Sequence, residues 1–212
     1  MRFIGITGGV GAGKSAILSY LSEKPKTRVM LADEIAHDLM EPGTDCYRQI
    51  VERFAGEDIF GTHEGVEYVT DEESRPFDRG KLAQIIFSDP VKRDAMNGIV
   101  HPAVKEYVRK EYEKEKQLDE LEWLVLEAAL LIEEEYDEIC DELWYIYTNE
   151  ENRRKRLKAS RGYSDAKIDS IFKSQLTEEE FRKSTQVAID NNGDLAETIQ
   201  QIEIALRRKA DE

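Results

Sequence analysis

The sequence predicts an α/β fold: a mostly parallel sheet of five strands, covered by helices on both faces. Three observations predict it. The chain opens with a short apolar, β-branched run, Phe3-Ile4-Gly5-Ile6-Thr7, which passes through a glycine-rich loop into a helical pattern. Four further strand-like runs follow, Arg28-Val29-Met30-Leu31, Trp123-Leu124-Val125-Leu126, Leu143-Trp144-Tyr145-Ile146-Tyr147 and Val187-Ala188-Ile189. Helical periodicities lie between most of them, the alternation expected where parallel neighbours are joined by crossovers.

Taken in order, the first run reads as a buried strand, and residues 15–21 place Ile17, Leu18 and Leu21 on one helix face. That single helix leads to the second strand, a βαβ unit. About ninety residues separate the second strand from the third, far more than one crossover needs. They hold a Gly-rich polar stretch at 56–76 and two helical periodicities at 78–87 and 91–116, so residues 41–119 read as a mostly helical insertion near the mouth of a site. Residues 149–184 form a second insertion, helical and highly charged. The last helix, 195–208, carries Ile199, Ile202 and Leu206 at a spacing that packs one face on the sheet. Residues 1–40, 120–148 and 185–212 make up the core.

At 212 residues the chain is long enough for one sizeable core with insertions. Its 40% hydrophobic and 35% charged content describes a soluble globular protein, and no run approaches the roughly 18 apolar residues of a membrane span. The N-terminus lacks the basic and apolar regions of a secretory signal. Cys46 and Cys140 lie far apart, and His37, His63 and His101 show no ligand spacing, so neither a disulfide framework nor a zinc site is expected. A reducing cytoplasm is the natural compartment. The net charge of −15 opposes DNA or RNA as main partner, while a small nucleotide needs only local positive charge.

The chemistry begins in the loop. Gly8-Gly9-Val10-Gly11-Ala12-Gly13-Lys14-Ser15 spells G-x-x-x-x-G-K-S between a strand and a helix. Glycines let consecutive N–H groups turn inward around a phosphate, and the helix N-terminus adds its positive end. Lys14 is expected to reach the β/γ-phosphates and the Ser15 hydroxyl to hold Mg²⁺, which makes a nucleoside triphosphate the expected ligand. Asp33 follows the second strand, where ligands of open α/β sheets sit. It reads equally as a group that accepts or orients the proton of an attacking hydroxyl and as a helix N-cap. Glu127 closes the third strand, as in the second metal-site motif of phosphate-loop enzymes, or simply marks where the strand meets charge. Residues 153–161, Arg-Arg-Lys-Arg-Leu-Lys-Ala-Ser-Arg, form the one strongly basic segment. Without interleaved aromatics it suits a lid over triphosphate better than a nucleic-acid patch. Asp58-Ile59-Phe60-Gly61 fits D-x-x-G but follows no strand, and N-K-x-D is absent, so this match is read as chance.

The glycine loop is one of several telling segments: Ile6-Thr7-Gly8-Gly9-Val10-Gly11-Ala12-Gly13-Lys14-Ser15, the Ala-Asp-x-Ile-Ala of residues 32–36, and Phe77-Asp78-Arg79-Gly80-Lys81-Leu82. Ile86-Phe87-Ser88-Asp89-Pro90, Ile99-Val100-His101-Pro102, Leu130-Leu131-Ile132-Glu133 and Ile189-Asp190-Asn191-Asn192-Gly193 follow. Together, in this order and over nearly the whole chain, they resemble the dephospho-CoA kinase family. The resemblance implies a P-loop kinase core with a helical CoA-side insertion and a helical lid. It also implies transfer of the ATP γ-phosphoryl group to the ribose 3′-hydroxyl of dephospho-CoA, with Mg²⁺. By position, residues 8–16, from Gly8 to Ala16, hold ATP, Asn191 lies near adenine, and Asp33 is the base or orienting group. Arg79, Lys81 and His101 become candidates for substrate contact, and Arg156 a catalytic lid arginine. Ala129 replaces the family's common Pro, Ala16 its usual Thr, and the next lid arginine falls on Ser160 with Arg161 one place along. A nucleoside monophosphate kinase, which shares core and lid, is the nearest rival; a nucleotide-switch or nucleic-acid-remodelling ATPase is disfavoured by charge, size and the missing guanine motif.

Overall fold

The structure, a computed structural model, describes residues 1–60 and 75–208. His63, Gly61 and most of the 56–76 stretch lie outside the described residues. The chain divides into two compact units, residues 1–31 with 112–212 and residues 32–111.

The first unit carries a five-stranded sheet: β1 (Arg2–Thr7), β2 (Thr27–Leu31), β3 (Trp123–Glu127), β4 (Glu142–Tyr147) and β5 (Val187–Asp190), in the order β2-β3-β1-β4-β5. Every strand pairing is parallel, where the sequence reading asked only for mostly parallel. β1 and β2, joined by helix α1 (Lys14–Ser22), are not neighbours; β3 lies between them, with Ile6 and Leu31 both in register with Glu127. Strands buried on both faces need apolar side chains throughout, and Phe3, Ile4, Ile6, Leu124, Val125 and Leu126 are all fully buried. Ile17, Leu18 and Leu21 of α1 join Trp144, Ile146, Ile202 and Leu206 in one core; Ile199, expected on the same face, is only half-buried, and Thr198 and Ala205 take the buried positions beside Ile202 and Leu206 instead. Three helices, α6 (Glu150–Arg161), α7 (Asp165–Lys173) and α8 (Glu178–Ser184), occupy the charged segment before β5, and α9 (Leu195–Arg207) closes the unit.

The second unit is helical: α2 (Ala32–Leu39), α3 (Asp45–Arg53), α4 (Arg79–Ser88) and most of α5 (Pro90–Leu118). Asp78 caps α4 by accepting from the N–H groups of Gly80 and Lys81 at 2.9 and 3.0 Å, which starts the helix one residue after the predicted boundary. Tyr47 stacks on Phe77 at 4.7 Å and donates its hydroxyl to the Arg75 carbonyl at 2.6 Å. The end of α5 belongs to the sheet unit, where Tyr112 stacks on Phe3 at 5.1 Å and Glu115 pairs with Arg28 of β2 at 2.5 Å.

Candidate active site

At the carboxyl end of β1 the chain must reverse from strand to helix within a few residues. Gly13 makes the final turn, standing at the N-cap of α1 with φ +88°, a left-handed conformation that L side chains rarely adopt. A Cβ there would lie 2.5 Å from Asn191 Nδ2, so no larger residue fits. The turn leaves the first N–H groups of α1 without helical acceptors and concentrates positive potential where the loop curls. Lys14 is mostly buried. Its Nζ donates to the Gly8 carbonyl at 2.6 Å and lies 3.5 Å from Glu127 Oε1. Loop, lysine and carboxylate therefore meet at the carboxyl end of the two interior strands β1 and β3, as their strand-end positions predict. Ser15 and Ala16 are exposed on the first turn of α1.

Behind the loop, the Ala12 carbonyl gathers three side chains. Asn191 Nδ2 donates to it at 2.7 Å, Arg156 Nη1 at 3.0 Å, and the buried Thr148 hydroxyl lies 3.0 Å away. Arg156 Nη2 donates further to the Asn191 carbonyl at 2.7 Å, and Asn191 Oδ1 accepts from Thr198 at 2.9 Å. Asn191 thus uses both ends of its amide to hold the loop against the turn between β5 and α9. Arg156 is half-buried against backbone carbonyls. Thr148 was invisible to sequence reasoning: a single hydroxyl at a strand end carries no period and belongs to no motif.

The front of the loop is held by Arg153. Its Nε donates to the Val10 carbonyl at 2.9 Å, its guanidinium packs over Phe172 at 4.2 Å, and burial pulls it below the ordinary arginine range. It lies so close to Gly9 that a Cβ there would come within 2.4 Å of its Cζ. Of the other basic residues, Arg154 pairs with Asp165 and Asp169, and Lys158 with Asp165. Ser160 donates to the Arg156 carbonyl at 2.7 Å, and Arg161 lies over the Tyr163 ring at 5.8 Å.

In the helical unit, Asp33 is exposed in the first turn of α2, which starts at Ala32 directly after Leu31 ends β2. This corrects the N-cap reading: no residue separates strand from helix, so Asp33 falls inside the helix. Lys81 is committed locally, to Asp58 at 2.7 Å and the Phe60 carbonyl at 3.1 Å. Arg79 lies 3.6 Å from Glu41, and His101 is half-buried in α5, beside the in-helix Pro102. Among the described residues no three His, Cys, Asp or Glu side chains cluster as a metal cage, and no helix is long and apolar enough to cross a membrane.

An all-parallel sheet with a strand–glycine loop–helix turn, a lysine on the loop and a carboxylate on the adjacent strand defines a kinase of the P-loop class. The family model of the dephospho-CoA kinases matches residues 2–197, and the chain belongs to that family. A dephospho-CoA kinase from Carboxydothermus hydrogenoformans is 34% identical over 208 residues, covering 98% of this chain and 94% of its own. Among solved structures, a Thermus thermophilus protein superposes with a TM-score of 0.71 at 26% identity, over 97% of this chain and 96% of its own. A Campylobacter jejuni dephospho-CoA kinase shares the fold, with a TM-score of 0.68 at 18% identity over 97% and 96% of the two chains.

Proposed function

We propose that this chain transfers the γ-phosphoryl group of ATP to the ribose 3′-hydroxyl of dephospho-CoA, giving coenzyme A and ADP. The family match over residues 2–197 carries this reading, and it does not favour the nucleoside monophosphate kinase. In the reaction, the 3′-oxygen bonds to the γ-phosphorus, the bond from that phosphorus to the β,γ-bridging oxygen breaks, and the hydroxyl proton leaves. Asp33, in the first turn of the helix that follows the second strand and within the family's Ala-Asp-x-Ile-Ala, is the proposed acceptor or orienting group for that proton. Residues 8–16 cradle the phosphates, through the loop N–H groups other than those of Val10 and Ala12, which are bonded to Gln175 and to the Gly9 carbonyl. Lys14 exchanges its bond to the Gly8 carbonyl for phosphate oxygens and offsets the charge that gathers on the transferring group.

Ser15 and Glu127 offer two hard oxygen donors, one of them a carboxylate, which fits Mg²⁺: this ion takes few protein ligands and keeps water and phosphate in the rest of its shell. When bound, Mg²⁺ neutralises phosphate charge. Asn191 supports the adenine side through the turn it holds, since its amide is already engaged. Arg79, His101 and Lys81 are proposed to contact the substrate, Lys81 through the donor it does not spend on Asp58 and the Phe60 carbonyl. Residues 149–184 act as a lid anchored to the loop by Arg153 and Arg156.

The test is an acceptor panel: labelled ATP with dephospho-CoA, AMP, CMP, UMP and dTMP, each alone. Label on dephospho-CoA at a rate well above every monophosphate supports the reading; preference for a monophosphate rejects it.

A further inference from the structure

Val10, at the tip of the glycine loop, has both backbone hydrogen-bonding groups taken by side chains from the charged helical segment. Its N–H donates to Gln175 Oε1 at 3.3 Å, and its carbonyl accepts from Arg153 Nε at 2.9 Å. The same Gln175 oxygen accepts from Arg153 Nη2. One side-chain oxygen thus closes a ring through the loop tip, helix α6 and the turn between α7 and α8. Phe172, near the end of α7, packs against the guanidinium.

We propose that Gln175 is a positioning residue for the phosphate loop, setting the Val10 peptide so that the loop is shaped for phosphate when the α7–α8 turn is seated on it. The proposal rests on the ATP reading above. A loop tip whose N–H and carbonyl are both satisfied by fixed partners is pre-organised, and pre-organisation appears as affinity. The chemistry at position 175 is also specific. The site needs an acceptor for two donors, but a carboxylate there would put a full negative charge at the lip of an anion-binding loop. An amide oxygen accepts both bonds without that charge.

Two variants and two readouts test it. In Gln175→Ala, the Val10 amide of the ligand-free protein should exchange with deuterium about tenfold faster or more, the effect of losing its acceptor. The KM for ATP should rise roughly tenfold, with kcat within about threefold and the KM for dephospho-CoA unchanged. In Gln175→Glu, Val10 exchange should return to wild type while the KM for ATP stays raised, a split that a purely structural role does not produce. Val10 exchange within about twofold of wild type in Gln175→Ala overturns the proposal. So does a wild-type KM for ATP in either variant. Wild-type protein unable to phosphorylate dephospho-CoA would instead count against the functional reading, and the exchange measurement would still decide the role of Gln175.

Discussion

Asp33 occupies the exposed first turn of α2, where a negative charge complements the helix N-terminus. Asp33→Asn removes that charge and keeps the shape. The dipole contribution is about 0.3–1 kcal/mol, which for a chain of this size lowers the melting temperature by no more than about 4 °C. If Asp33 handles the hydroxyl proton, the same change should cut the single-turnover transfer rate by on the order of 10²- to 10⁴-fold at saturating substrates. The lower end fits phosphoryl transfer best, because its loose transition state asks more of orientation than of proton removal. A rate within about threefold of wild type would leave the dipole as the residue's whole contribution. The loop residues were legible because their motif is contiguous, and G-x-x-x-x-G-K-S names its own geometry. Thr148 and Gln175 were not, since each acts through a partner more than 130 residues away in sequence.

Helix α6 carries the basic part of the segment read as a lid, and its residues divide into two groups. Arg153, Arg156 and the buried Leu157 face the loop, whereas Arg154, Lys155 and Lys158 pair with acidic neighbours on the outside. Arg156→Ala therefore removes charge-assisted bonds to the Ala12 and Asn191 carbonyls as well as any role in transfer. Partial exposure puts the loss near the low end, about 2 kcal/mol, or roughly 4–8 °C in melting temperature. Melting and turnover measured on one preparation check this: lower turnover with an unshifted melting temperature would mean that Arg156 serves transfer alone. Most element types were legible, although α3 (Asp45–Arg53) was not singled out within the insertion. The periodicity at 91–116 became α5 (Pro90–Leu118), and the apolar runs became β2 to β5 within a residue or two. The order of strands was not legible, because apolar runs identify strands without saying which neighbour each will take across the long 32–122 interval.

Across the whole molecule, burial holds several weak acids in their neutral forms. Desolvation raises Tyr136 and Tyr145 to about 12, with nearby acidic groups adding to it, and pushes the Cys140 thiol far above its ordinary value. Above about pH 9 these groups lose protons in the unfolded chain but retain them in the folded one, so the folded state binds more protons and stability falls as pH rises. The melting temperature should drop steadily from about pH 9 to 12, and Cys140→Ala should flatten the first part of that decline. An unchanged slope in that variant would show that the thiol titrates alike in both states. The central claim concerns the whole assembly of loop, sheet and helical insertion, and the most direct test is the product itself. Purified protein is incubated with ATP, Mg²⁺ and dephospho-CoA, and the products are resolved by mass spectrometry with fragmentation. The account predicts ADP and a coenzyme A species one phosphoryl group heavier than dephospho-CoA, with that group on the adenosine ribose 3′-oxygen. Unmodified dephospho-CoA alongside intact ATP, or a phosphoryl group placed elsewhere, would contradict it.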